Sequence, residues 1–272
     1  MTRFSHLLLL LPLAAAQDWW HPAPRSTWDI QLHTSNATIA RNPASILDLD
    51  LFDNPASTIA SIHAAGKRAI CYFSAGTYED WRPDNISFTP DDYANPLPDW
   101  DGEYWLRTNR EEVREIMRSR LDLAVENGCD AVDPDNIDAY DNDNGAGLTR
   151  EDAIDYVKFL AAEGHARGLA VGLKNGVDIV EDVLDDVDFE VNEQCVQYEE
   201  CADLALVVEA GKPVFGIEYY RKVGEELTPV EDLTEAQKME ICAGGMVPGP
   251  TEGHSTVLKR MDLDWWVWAC PV

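Results

Sequence analysis

The chain has 272 residues, 45% of them hydrophobic, enough for one large core, and single-domain barrels of roughly 250 residues are ordinary. Fifty acidic residues stand against 21 basic ones, a net charge of −29. Such a surface excludes nucleic acid, whose phosphates need basic side chains, and leaves two uses for the charge: solubility, or steering of a cationic ligand.

Met1 to Ala16 has the layout of a secretory leader: Arg3, the apolar run Leu7 to Leu11, then Ala14-Ala15-Ala16. The apolar part is too short to span a bilayer. We therefore expect residues 1–16 to be removed, the mature chain to start near Gln17, and the product to be secreted with no membrane partner. Asn36-Ala37-Thr38 and Asn85-Ile86-Ser87 are N-glycan acceptor sequons. Six cysteines allow ~15 pairings; Cys195 and Cys201 are close enough to bridge a tight loop, and Cys242 with Cys270 would tie the last helix to the C-terminus. No Cys-x-x-Cys or His-x-x-x-His pair occurs, so zinc is not expected, and with no phosphate-cradling glycine loop no cofactor is expected.

Trp28 to Leu32 alternates like a strand, and Ser45 to Phe52 is a second apolar run. Asn54-Pro55 opens a helix to Ala65 that Gly66 closes. Arg68 to Phe73 is the third strand. Residues 77–108 read as a long irregular segment carrying Trp81, Trp100, Tyr104 and Trp105, and a loop of that length is usually functional. Thr108 with Glu111 predicts a capping box for a helix whose stripe is Val113, Ile116, Met117, Leu121 and Ala124, ending at Asn127-Gly128.

Strand four is the stretch Cys129 to Asp138, whose end carries Asp133, Asp135, Asn136 and Asp138. Thr149 with Asp152 starts the next helix, Leu169 to Leu173 is strand five with Lys174-Asn175-Gly176 at its end, and a short helix near Ile179 to Leu184 precedes strand six, Phe189 to Asn192. Cys201 to Ala210 reads as a helix, Pro213 to Tyr219 as strand seven, Thr234 with Gln237 as a helix cap, and Ser255 to Leu258 as strand eight. Eight strand-length runs separated mostly by helices, with no domain-scale linker across 17–272, predict an α/β fold: a single-domain (β/α)8 TIM-type barrel. A doubly wound sheet would need a glycine-rich first turn, and none follows strand one.

Barrel sites form at strand C-terminal ends. The residues expected at the mouth are Asp29 or Gln31, Tyr72 and Ser74, Asp133, Asp135 and Asn136, Lys174 and Asn175, Asn192 and Glu193, Glu218 and Tyr219. Two carboxylates on non-adjacent strands in an aromatic-rimmed mouth suit glycosidic cleavage, in which one attacks or positions water and the other protonates the leaving oxygen. Asp135, among amides and near Lys174, should stay ionised, while Glu193 follows an apolar strand and can hold its proton. The substrate-binding set is Asp133, Asn136, Lys174, Tyr72, Glu218 and Trp28, with Asp138 outside the reacting centre. Trp81, Trp100 and Trp105 either pack the long segment or stack on sugar rings.

Asp130 to Tyr140, Gly172 to Asn175 and Val191 to Cys195 resemble the motifs of glycoside hydrolase family 114, the endo-α-1,4-polygalactosaminidases, and the likeness runs from Trp28 to Cys270. It implies a metal-free barrel that hydrolyses α-1,4-linked galactosamine, as in the exopolysaccharide galactosaminogalactan of fungal biofilms. It also implies Asp135 as nucleophile, with Asp133 the alternative, and Glu193 as general acid/base. A cationic aminosugar polysaccharide would give the acidic surface a partner; the protein is expected to be a monomer. Two other readings stand beside this one: a secreted carbohydrate-binding or coat protein without turnover, and a hydrolase of neutral α-galactosides. A helix–loop–helix calcium site at Asp133 to Asp143 fails on spacing, because placing Gly145 at the turn puts Tyr140 at the first ligand position.

Overall fold

The computed structural model describes residues 18–33, 39, 41–223, 226–244 and 251–271. The leader, the start near Gln17 and the Asn36 sequon lie outside the described residues. Asn85 sits in a single helical turn, Asn85–Ser87.

β1 (Trp28–Gln31) pairs in parallel with β2 (Ile46–Asp50), and α1 (Ala56–Ala64) returns the chain to β3 (Arg68–Ser74) beside β2. The next stretch is not irregular. β4 (Thr77–Glu79), β5 (Tyr93–Pro96) and β6 (Glu103–Leu106) form a small antiparallel sheet in the order β4-β6-β5. Stacked and tilted Tyr78, Tyr93 and Tyr104 rings explain its stability without a long strand pattern.

α2 (Glu111–Asn127) follows, and its first residue is capped differently from expectation. Arg110 is the N-cap, while Thr108 is buried and its carbonyl accepts a hydrogen bond from Arg114 Nε at 3.0 Å. The predicted apolar stripe is buried, and Gly128 closes the helix with φ 84°. Then come β7 (Ala131–Asp135), α3 (Arg150–Ala166), β8 (Ala170–Lys174), α4 (Val180–Val183), β9 (Phe189–Glu193), α5 (Cys195–Tyr198), α6 (Ala205–Glu209) and β10 (Val214–Glu218). The Thr149–Asp152 capping box is formed. A hairpin that the sequence did not announce, β11 (Tyr220–Val223) and β12 (Glu226–Pro229), precedes α7 (Glu235–Cys242), whose Thr234–Gln237 box is also formed. β13 (His254–Lys259) is the eighth parallel strand, and β14 (Val267–Ala269) runs antiparallel on its outer edge.

The main sheet has nine strands in the order β1-β2-β3-β7-β8-β9-β10-β13-β14, the first eight parallel. This is the TIM-type barrel, single-domain as expected. Its strands are buried on both faces, so they read as nearly continuous apolar runs. Period two then sorts them into two cores. Leu47, Leu49, Cys71, Phe73, Val132 and Val171 pack outward under the helices. Trp28, Ile30, Ile46, Ile70, Phe189, Val191 and Phe215 fill the lumen.

Three disulfides are present: Cys195–Cys201 and Cys242–Cys270, as anticipated, and Cys71–Cys129, which links β3 to the turn before β7. No helix among the described residues is long and apolar enough to cross a membrane.

Side chains carry the closure between β1 and β13. Lys259 Nζ meets Asp29 Oδ1 at 2.9 Å with both groups fully buried, and Trp28 Nε1 donates to the Ser255 carbonyl at 2.6 Å. Asp29 is further held by Gln31 and Asn42. Replacing Lys259 by Met leaves that carboxylate buried without its cation. The expected loss is about 3–5 kcal/mol in chemical denaturation; a loss no larger than that of an exposed lysine would refute the seam.

Candidate active site

β7, β8 and β9 are neighbours in the sheet and end in Asp135, Lys174 and Glu193; Lys174 pairs with Val191, so Glu193 reaches two residues further along β9. Each strand is followed by an amide residue in the left-handed region: Asn136 at φ 63°, Asn175 at 52° and Gln194 at 65°. Asn and other short polar residues tolerate that conformation, and it turns the chain off the barrel immediately after the functional side chain.

Lys174 is fully buried at the centre. Its Nζ lies 3.4 Å from Asp133, 3.5 Å from Asp135 and 4.0 Å from Glu193. Burial opposes its charge, but Asp133, Asp135, Glu193 and Asp48 together hold its pKa well above the ordinary lysine value. Asp135 Oδ2 accepts from the Tyr72 hydroxyl at 2.7 Å, and its Oδ1 from the Asn136 backbone N–H at 2.8 Å. Glu193 has a matching partner: Tyr219 donates to Oε1 at 2.6 Å, while Asn175 Nδ2 donates to Oε2 at 3.1 Å. Burial, then the facing carboxylate, raises both tyrosines well above the usual phenol range, so both remain donors.

These groups open into a cavity of about 340 Å3 whose wall includes Tyr72, Asp135, Asn136, Lys174, Asn175, Glu193 and Tyr219. Other expected residues do not reach it. Asp133 faces the lumen one layer lower, fully buried, with burial raising its pKa to about 6. Trp28 is 2% exposed and lies against Phe215 at the opposite end of its strand, so it packs the barrel and meets no substrate. Glu218 belongs to the outward set of β10, because Phe215, Ile217 and Tyr219 take the lumen. Its Oε1 accepts from the Val196 N–H at 2.8 Å, which anchors α5. Asn192 misses the mouth for the same reason of parity: it pairs with Gly216 while Glu193 pairs with Ile217.

The cavity also contains residues that the sequence left aside. Asp138, expected outside the centre, lines it, and burial followed by Asp135 raises its pKa to about 6. Asp50, Glu79, Arg82 and Glu103 line it as well. Arg82 joins Asp50 at 2.7 Å and Glu79 at 2.9 Å. The pattern was hidden because the small β4-β6-β5 sheet had no assigned faces. Trp81 and Trp100 are half exposed on the cavity wall, whereas Trp105 is buried against Ala139 and Leu148.

Glycosidic cleavage asks for one carboxylate beside the anomeric carbon and a second beside the leaving oxygen. Non-adjacent strands here present two carboxylates to one cavity, each held by its own tyrosine and both within reach of one lysine, and the fold is that of a glycoside hydrolase. The chain belongs to glycoside-hydrolase family GH114, whose profile matches residues 11–272. The crystal structure of Aspergillus fumigatus Ega3 in complex with galactosamine is similar, with 45% identity, coverage of 93% of this chain and 98% of that one, and a TM-score of 0.83. The glycoside hydrolase domain of PelA from Pseudomonas aeruginosa shares the fold at 14% identity, covering 90% and 98% with a TM-score of 0.69. An uncharacterized protein of Deinococcus radiodurans is 27% identical over 221 residues, 71% of each chain.

Two measurements test this geometry. A Cβ at Gly76 would fall 1.6 Å from the Asn136 carbonyl oxygen, and the Gly76 N–H donates to the Asp135 carbonyl. Gly76→Ala should therefore displace the Asp135 turn and cut kcat/KM roughly 10²-fold with the circular dichroism spectrum unchanged; full activity would show the turn to be irrelevant. Burial raises the Glu218 carboxyl from 4.5 to about 8, so the folded state favours its neutral form. That stability is present below about 4.5 and is lost as pH rises through about 8. Glu218→Gln should gain Tm relative to wild type across that window, and parallel Tm profiles would contradict the assignment.

Proposed function

We propose that the protein is a secreted endo-hydrolase of α-1,4-linked galactosamine chains, working by retention with Asp135 as nucleophile and Glu193 as general acid/base. The observation that carries the reading is the shared lysine. One ammonium lies 3.5 Å from Asp135 and 4.0 Å from Glu193, so the two carboxylates share a cation and face one space, as a two-carboxylate mechanism requires. Asp133 is the weaker nucleophile candidate because it lies beneath the cavity floor.

In the first step Asp135 attacks the anomeric carbon while Glu193 gives its proton to the leaving glycosidic oxygen. In the second, Glu193 takes a proton from water, which displaces Asp135. Lys174 balances the charge that moves between them, and the Tyr72 and Tyr219 hydroxyls hold each carboxylate in orientation. The substrate class is supported by the galactosamine in the similar Ega3 structure and by the excess of carboxylates around this cavity. Export is supported by the leader-like residues 1–16 and by three disulfides, which persist in oxidising compartments.

Partially deacetylated α-1,4-galactosaminan should be cut by wild type into oligomers whose new reducing ends are first α. Asp135→Asn and Glu193→Gln should each lose at least about 10²–10⁴-fold in kcat. Binding without release of oligosaccharides would leave a carbohydrate-binding protein, activity that rises with acetylation would favour a neutral α-galactosidase, and β-anomers would mean inversion.

A further inference from the structure

Glu79 and Glu103 stand directly opposite one another across the antiparallel β4–β6 pair, where like charges destabilise. Both are buried, at 3% and 7% exposure, and both line the cavity beside Asp135. Their surroundings differ. Glu79 is answered by Arg82 at 2.9 Å and has Arg120 at 4.0 Å. Glu103 has no basic side chain within 4.0 Å among the described residues, and the one side-chain donor on it is the Thr77 hydroxyl at 3.1 Å. A buried carboxylate without a cation is costly. Here it faces the cavity beside Asp135.

We propose that Glu103 is a specificity-determining residue that receives the ammonium group of an aminosugar unit bound next to Asp135, so that the free amine is preferred over its N-acetyl form. The proposal rests on the galactosaminidase reading above. A primary ammonium brings three donors and the missing charge, whereas an acetamide brings one donor, no charge and added bulk. Trp81 and Trp100, half exposed on the same wall, offer ring faces to the sugar units that carry the amines.

The charge environment gives this role a pH signature. Burial, then Glu79, pushes the Glu103 carboxyl up to about 7; Asp135 adds to the rise, while Thr77 and Arg82 pull the other way. The Tyr72 phenol on β3 also faces this group and stays protonated. Amine binding needs the ionised carboxylate, so it weakens as pH falls through about 7. Asp138 shares the cavity as well; burial, then Asp135, raises its carboxyl to about 6, so its ionisation lies below that of Glu103 and remains in the Glu103→Gln profile. A purely structural Glu103 would only accept from Thr77 and so steady the Thr77–Ser74–Asn136 chain of hydrogen bonds, a task that glutamine also performs.

The test compares wild type with Glu103→Gln and Glu103→Asp on fully deacetylated and N-acetylated galactosamine oligomers across neutral pH. Glu103→Gln should raise KM for the deacetylated oligomer about ten- to a hundredfold, leave kcat within about threefold, and erase the ionisation near neutrality from the KM profile. Glu103→Asp, which keeps the charge, should retain that ionisation. Calorimetric binding of deacetylated oligomers in the Asp135→Asn background, with and without Glu103→Gln, reads the same contact without turnover. If wild type cleaves no galactosaminan but this binding still depends on Glu103, the proposed activity fails and the amine contact stands. Unchanged KM, amine preference and binding in a folded Glu103→Gln protein overturn the inference, as does absence of amine-dependent binding altogether.

Discussion

One buried cation organises the reacting end of this barrel. Lys174 loses the solvation of bulk water, and only the carboxylates packed round it make its charge tolerable. The converse also holds, since Asp133, Asp135 and Glu193 could not crowd one another without it. Because β8 lies between β7 and β9, a side chain at its tip is the one placed to touch acids on both flanking strands. Sheet order and electrostatics therefore enforce a single arrangement, with the tyrosine hydroxyls of Tyr72 and Tyr219 as matching outer supports.

Much of the fold was legible because parallel strands covered on both faces leave unmistakable apolar runs, and because Thr149 and Thr234 announce helix starts with side chains that do cap. Asp135, Lys174 and Glu193 were legible for a related reason: polar groups at the end of an apolar run have nowhere to go but the mouth. What escaped was parity and partnership. Glu218 and Asn192 sit one residue from lumen-facing neighbours, and a shift of one turns a mouth residue into a helix anchor. Trp28 sits at the correct strand but the wrong end. Thr108 belongs to a capping pattern that Arg110 overrides, because the helix begins three residues further on.

The stretch between β3 and α2 shows a different limit. Its strands are three or four residues long and carry bulges, so no period survives for a reader to detect. Order there comes from tyrosine stacking and from Arg120, whose guanidinium reaches across from α2 to the Ser74 carbonyl at 2.5 Å and to Asp84 at 2.8 Å. That small sheet brings Glu79, Glu103, Trp81 and Trp100 over the strand ends, turning an open barrel mouth into a walled groove.

The left-handed residues Asn136, Asn175 and Gln194 divide each unit into two inheritances. The strands before them are indexed to the sheet by backbone hydrogen bonds, and the turns and short helices after them lie outside it. A lineage can lengthen, shorten or rewrite the segments beyond these three amides and so change which polymer is gripped and how far along its length. The separation of Asp135 and Glu193, set by the strands themselves, stays untouched by such edits, so the strand-end constellation is insulated from the evolution of the loops.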